Sequence, residues 1–292
     1  MPIGFLKASG ARIEIQPEGP EGPYYPGDTV SATIILHGEK KLSVRQFTAG
    51  LLFWEQYTSE DSDGDQTART VADQFLDQNT LMREDQLYEG YSRSFQVAYR
   101  LPSNAAPPCH SNLIQSGWTL RASLDIGKRT DINEEVPIPL VVPPAVLGSQ
   151  STKHGDTSHP DKGEMHLQLP RIEWVLGESV EGILLVAPKE RLNIKEVRVQ
   201  LTRQQRVHAK RVSIKHIDVA AKDKLAEKTQ LEPDQTYEFQ FSLPIDVGDC
   251  PSRDTENTTV SYILEGVLSR RFRKDYTVKT EISLFNGSRP AN

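Results

Sequence analysis

The stretch GDTVSATIILHGEKKLSV, Gly27–Val44, decides how the chain is read, because it returns as GESVEGILLVAPKERLNI, Gly177–Ile194. Both run Gly, acidic residue, Ser/Thr, Val, then an apolar run, a charged turn and a Leu followed two positions on by a β-branched residue. The offset is 150 residues throughout, pairing Val30 with Val180, Leu36 with Val186 and Leu42 with Leu192. Within the first copy Val30, Ala32, Ile34 and Leu36 alternate with polar positions such as Ser31 and Thr33. A period of two places the apolar set on one face of a β-strand. In the second copy Ile183 and Leu184 blur the alternation, as expected where both faces are partly covered.

Two further blocks repeat in the same order. YSRSFQVAYRLPSN (Tyr91–Asn104) matches TYEFQFSLPID (Thr236–Asp246) at the shared Leu-Pro, pairing Val97 with Phe239, Tyr99 with Phe241 and Leu101 with Leu243. GWTLRASLDIGKRTDINEEVPIPL (Gly117–Leu140) matches SYILEGVLSRRFRKDYTVKTEISL (Ser261–Leu284) at an offset of 144. Three ordered blocks identify a duplicated domain. One-sided strands at short spacing need a second sheet to cover their apolar face, so the expected fold is all-β, two tandem immunoglobulin-like β-sandwich domains. The boundaries read as 1–145, a flexible linker over 146–163, whose Pro, Gly, Ser, Thr and His carry almost no large apolar residue, and 164–292. Helical signals are few: Val71–Tyr91 and Val219–Gln230 could each hold a turn or two.

The 292 residues suit two domains, and 37% hydrophobic with 25% charged residues is ordinary globular composition. Net charge is −6; residues 1–145 carry 12 Lys+Arg against 19 Asp+Glu, and the rest carry 22 against 21. That balance argues against a dedicated nucleic-acid binder. No window reaches the apolar length of a membrane span, and MPIGFLKASGARIEIQP lacks the charged and apolar regions of a signal peptide, so a cytoplasmic location is expected. Cys109 and Cys250, each a short distance past a Leu-Pro pair in equivalent loops, are expected to be unpaired thiols.

The assembled order is informative: Pro26-Gly-acid-x-Val30, FTAGLLFWEQY (Phe47–Tyr57), a strand ending at Leu101-Pro102, then Gly-Trp-x-Leu-x-Ala-x-Leu at Gly117–Leu124 and a following Asp131. It resembles the N-terminal domain of arrestin-like proteins, and GESVEG, the second Leu-Pro strand and SYILEGVL resemble their C-terminal domain. The resemblance spans about residues 10–142 and 164–286. It implies a non-enzymatic adaptor or regulator acting through protein contacts, with no cofactor. Pro-Pro-x-Tyr is absent, and the sequence ends FNGSRPAN soon after Leu284, without a long regulatory tail. The compact form therefore resembles the bacterial sporulation-control type, or the arrestin-fold retromer subunit, a trafficking coat component at membranes. A third reading, an extracellular immunoglobulin-like adhesion module, fits poorly with the sparse Cys.

No catalytic constellation is present: there is no Gly-x-Ser-x-Gly, phosphate-binding Gly-rich loop or His-Glu-x-x-His. Asp61-Ser-Asp63-Gly-Asp65 puts Gly fourth rather than sixth and Ala72 at the twelfth position, so a solvated loop is expected rather than a calcium site. His154, Asp156, His159, Asp161 and His166 cluster without the spacing of a metal cage, and no metal is expected. The basic residues are the stronger signal. Arg206–Val219 reads as one strand, and Arg270–Lys274 as a turn in the same domain. Arg206, Lys210, Arg211, Lys215, Arg270, Arg271, Arg273 and Lys274 are therefore candidates for one cationic face. Its partners would be phosphorylated or acidic protein segments, or an anionic lipid surface. Asp131 and Asp275 are candidates for ionic contacts by position, and Trp118 is expected in the core, with Trp54 and Trp174 open to either reading.

Overall fold

Alternating sequence becomes alternating burial. In the computed structural model of the chain, which describes residues 10–19, 22–60, 66–127, 130–144, 152–208 and 214–288 (side chains of 58–75 and 156 excepted), Val30, Ala32, Ile34 and Leu36 are fully buried. Their polar neighbours along the strand are part-exposed. The first repeat holds β1 (Ala11–Glu18), β2 (Thr29–Gly38), β3 (Leu42–Glu60), β4 (Gln66–Leu87), β5 (Ser92–Arg100), β6 (Cys109–His110), β7 (Ile114–Asp125) and β8 (Ile132–Ile138). The second holds β9 (Thr152–His154), β10 (Asp156–Thr157), β11 (Gly163–Leu169), β12 (Glu173–Val175), β13 (Ser179–Pro188), β14 (Leu192–Val207), β15 (Ile214–Leu231), β16 (Tyr237–Pro244), β17 (Arg253–Asp254), β18 (Thr258–Ser269) and β19 (Tyr276–Phe285).

The topology repeats with the sequence. The first repeat forms a β1-β2-β5 sheet and a β4-β3-β7-β6 sheet to which β8 adds on β7. The second forms β11-β13-β16, extended by β9, and β15-β14-β18-β19, with β17 on β18. Apart from β9, β10 and β12, these are the same two-sheet plan. By contact the chain divides into two compact units: Met1–Gln56, Ala68–Pro108 and Ser116–Val141 make one, and Tyr57–Thr67, Cys109–Gln115 and Val142–Asn292 the other.

The ladders correct one alignment. Matching the two Leu-Pro pairs implies an offset of 142 for β5 and β16. Hydrogen bonding instead pairs Val30 with Tyr99 and the equivalent Val180 with Leu243. Likewise Leu101 N donates to Asp28 O, and Ile245 N donates to Glu178 O. The offset is therefore 144, the same as for β7 and β18, where Trp118 faces Ile138 and Tyr262 faces Ile282. Leu-Pro recurs at a strand end, where a residue without an N–H is tolerated, so the dipeptide marks strand exit but not register.

Both stretches with helical signals are strand, in β4 and β15; cross-strand pairing overrides their local propensity. The 152–163 stretch, linker by composition, carries β9 and β10, which pair with β11 and β19. Thr157 Oγ1 and Met165 backbone groups hydrogen-bond both ways, and Gly155 turns at φ 89° against Lys279. Edge strands tied down by polar side chains have no apolar signature in sequence. Trp118 and Trp174 are core residues, and Trp54 is half-buried, its ring 3.2 Å from where a side chain on Gly117 would begin.

Candidate functional site

The turn joining β18 to β19 is Arg270-Arg-Phe-Arg-Lys274, and one arginine builds it. Arg270 donates from Nε (3.0 Å) and from one guanidinium N–H (2.5 Å) to Lys274 O, and from the other to Tyr276 Oη at 2.7 Å. Its guanidinium lies 3.8 Å from the Tyr276 ring centroid, and its backbone N–H donates to Asp275 Oδ1. Asp275 also pairs with Arg198 at 3.7 Å, so this expected ionic residue is the turn's anchor. Asp131 is exposed.

With Arg270 spent on structure, the tip is left to the solvent. Arg271, Phe272, Arg273 and Lys274 are all exposed, Phe272 at 91%. Among the described residues Arg271, Arg273 and Lys274 form no ion pair, whereas Arg198 and Arg203 of β14 and Lys222 and Lys224 of β15 do. Phe272 holds φ 60° and Lys228 φ 47°, a left-handed conformation uncommon for residues with a side chain. Both border an open cleft of about 880 Å³ lined also by Asn193, Lys195, Gln230 and Arg271. A bulky apolar tip flanked by cations without ion pairs, beside an open cleft, can bind an anionic group while shielding apolar surface from water.

The other candidates do not join this site. Arg206–Val219 is not one strand but a hairpin, since β14 ends at Val207 and β15 starts at Ile214. Antiparallel pairing of Arg206 with Lys215 and of Val207 with Ile214 divides the stretch between two strands. Arg206 and Lys215 are exposed cross-strand partners. Lys210 and Arg211 lie outside the described residues. Arg206 sits opposite Thr259, whereas the 270–274 turn follows Ser269, which sits opposite Glu196. Ten residues of strand, about 33 Å at a strand's rise per residue, separate the two clusters, so a single cationic face is replaced by two ends of one sheet.

Between those ends lies a charged cluster that sequence reading missed. Arg203 of β14 donates to Asp218 of β15 in bidentate fashion (3.1 and 2.9 Å) and to Asp249 at 2.8 Å. Burial pushes the Asp249 carboxyl above its ordinary value despite Arg203, and Asp246 and Asp218 add to the rise. Arg203, shared between two carboxylates, lowers the value but does not outweigh burial. Tyr262 is fully buried beside them, and its hydroxyl is pushed up chiefly by burial. No motif marks this cluster, because its members come from three separate segments.

Directly after Asp249, Cys250 is bonded to Cys109, with Cα atoms 4.9 Å apart and a sequence separation of 141. The expectation of two unpaired thiols is overturned. The ladder offset of 144 explains the misreading: Cys109, which opens β6, is equivalent to Arg253, which opens β17, and not to Cys250. The two sulfurs are thus not in matching positions, and nothing in the linear spacing shows that they meet.

Of the suggested metal ligands, His154 bonds Thr152, His159 bonds Ser158 and packs on the Tyr276 ring, and His166 lies in β11. Among the described residues no three His, Cys, Asp or Glu converge on one point. Asp61, Asp63 and Asp65 lie outside the described residues. Among the described residues, no helix is long and apolar enough to cross a membrane.

Compared with known families, the chain matches the model described as "Arrestin (or S-antigen), C-terminal domain" twice, over residues 11–145 and 159–288. The first repeat thus matches the C-terminal-domain model, where sequence reading had likened it to the N-terminal domain. No curated protein matches the chain.

Proposed function

The chain belongs to the arrestin family, and on that premise we propose that it is a non-enzymatic adaptor whose docking element is the Arg270–Lys274 turn. Family membership supports the coarser role, adaptor or regulator through protein contacts. The observation that carries the finer one is the turn itself: Phe272 exposed at 91% between Arg271 and Arg273, with no ion pair on either arginine among the described residues. Left-handed non-glycine residues tend to persist where function demands them, and two border this cleft. The partner is an acidic or phosphorylated protein segment, and the setting is a cytoplasmic regulatory one of the bacterial sporulation or stress-control kind. Arg206 and Lys215 offer a secondary contact at the far end of the sheet. The exposed Phe272 favours one alternative, a trafficking-type role in which the turn rests on an anionic membrane.

The test measures binding of the full chain to a phosphoserine-rich acidic peptide and, separately, to vesicles of phosphatidylserine and phosphatidylcholine. The triple charge reversal Arg271→Glu, Arg273→Glu, Lys274→Glu is compared with the native chain across salt concentration. Peptide binding that weakens with salt and is lost in the variant supports the proposal. Vesicle binding with the same dependence, without peptide binding, selects the membrane role. Equal binding by native and variant chains removes the turn from the function.

A further inference from the structure

Residues 109–115 are counted with the second unit although β5 and β7, on either side of them in sequence, lie almost wholly in the first. Cys109 and Ile114 are buried, but His110 and Asn112 are exposed, and Ser111 and Leu113 are only half-buried. Its polar contacts include Ser111 Oγ donating to Gln205 Oε1 at 2.8 Å and Ile114 N donating to Ser111 Oγ at 2.9 Å. A short internal bridge runs from Ser111 N to Ile114 O at 2.7 Å. On the other side Tyr262 Oη donates to Cys250 O at 2.6 Å, fixing Cys250 against β18. The covalent tie on the segment is the bond from Cys109 to Cys250.

We propose that this bond is a thiol–disulfide clasp, which fixes residues 109–115 on the second unit when oxidised and releases them when reduced. The inference rests on the cytoplasmic setting proposed above, because in a reducing compartment a disulfide is characteristically transient and redox-sensing. The chemistry is exchange with a thiol reductant. A thiolate attacks one cysteine sulfur, the Cys109–Cys250 bond breaks, and the displaced thiolate takes up a proton. A second thiolate then resolves the mixed disulfide, so the protein gains two electrons and two protons while the reductant leaves as its own disulfide. Both cysteines are almost wholly buried, at 1% and 0% exposure. Attack therefore waits on local opening of the segment, and the clasp responds to sustained changes of redox poise rather than brief ones. Release also strips Gln205, 2% exposed, of its Ser111 donor, which loosens β14 beside Arg203.

Hydrogen exchange on the full chain, equilibrated with oxidised or with reduced glutathione, tests the clasp. Reduction is expected to speed exchange at the Ser111 and Ile114 amides about tenfold or more beyond any rise shared by the β2 and β13 amides, which reports the loss of global stability. The double variant Cys109→Ser, Cys250→Ser should behave as the reduced chain in either buffer; the native comparison stands without it if that variant misfolds. Alkylation of thiols in intact cells should show the bond forming and disappearing as the glutathione poise is shifted. Equal exchange in both buffers, or thiols that do not pair in oxidised glutathione, overturns the clasp and leaves the cytoplasmic reading intact. A bond fully formed in unstressed cells and insensitive to poise overturns the switch together with the cytoplasmic setting, and makes the disulfide purely structural.

Discussion

Removing the Cys109–Cys250 bond should lower the stability of the chain by an amount set mainly by the loop it closes. With a sequence separation of 141, the chain-entropy relation gives about 17 cal/mol/K removed from the denatured state, or about 5 kcal/mol at 25 °C. The figure depends little on how the units unfold. If the first unit stays folded, the closed loop shortens to roughly 110 residues, and its logarithm lowers the value by only ~0.2 kcal/mol. Relaxation of the denatured chain reduces what is observed, so the expected loss is about 2–5 kcal/mol. Urea unfolding of the oxidised chain, the reduced chain and the Cys109→Ser, Cys250→Ser variant measures it. The midpoint should fall in both bond-free forms, with a slightly steeper slope because an uncrosslinked denatured chain exposes more surface. Coincident curves for oxidised and reduced chains would refute the reasoning, since they mean that the two cysteines are not bonded or that the loop stays ordered when the rest unfolds.

Other consequences are more local. Leu264, fully buried and paired with Leu201 across β14, should cost about 2–5 kcal/mol when replaced by Ala, read as a drop in unfolding midpoint. Gly182 occupies the β13 position that Ala32 holds in β2; a Cβ there would meet Gln168 O at 2.7 Å and the Phe241 ring at 2.8 Å. Gly182→Ala should therefore destabilise by about 1–3 kcal/mol although its twin already carries Ala, and a neutral effect would show that the strand can shift. Asp249 has a raised pKa, so its contribution is fully present below the unfolded carboxylate value and is lost as pH rises through the folded one. The stability advantage of the native chain over Asp249→Asn should accordingly shrink as pH rises above the ordinary carboxylate range, measured by urea unfolding at each pH; a growing advantage contradicts the assigned direction. Glu196 is the converse. Burial works against its ionised form, but Lys222 and Arg198 outweigh burial and lower its pKa, so its contribution is lost as pH falls through that lowered value. Glu196→Gln should destabilise at neutral pH and approach the native chain in acid, checked by the same titration.

The strands of the two sandwiches were legible because burial of one face imposes a period of two, which Val30–Leu36 obeys, while three consecutive buried residues at Leu184–Val186 blur it in the second copy. The duplication was legible because equal folds keep equal spacing between apolar blocks. Register was less so: the Leu-Pro coincidence shifted β5 against β16 by two residues, and only ladder hydrogen bonds such as Leu101 N to Asp28 O restored it. The cationic turn Arg270–Lys274 could be read as a charged run between strands. Its division into one structural arginine and three cations without ion pairs could not, since Arg270 reaches Tyr276 and Asp275 only once the turn closes.

The sequence by itself determined that this is a twofold repeat of one-faced strands with the motif order of arrestin-like proteins, because periodicity and spacing are local properties that each segment carries alone. Tertiary structure decided everything that depends on distant residues meeting. It separated Arg206 and Lys215 from the 270–274 turn by the length of a strand, drew Arg203, Asp218 and Asp249 into one cluster, and bonded two cysteines that linear spacing had left apart. Side-chain contacts across a sheet are fixed by register and loop path, and neither is encoded in the composition of any one segment.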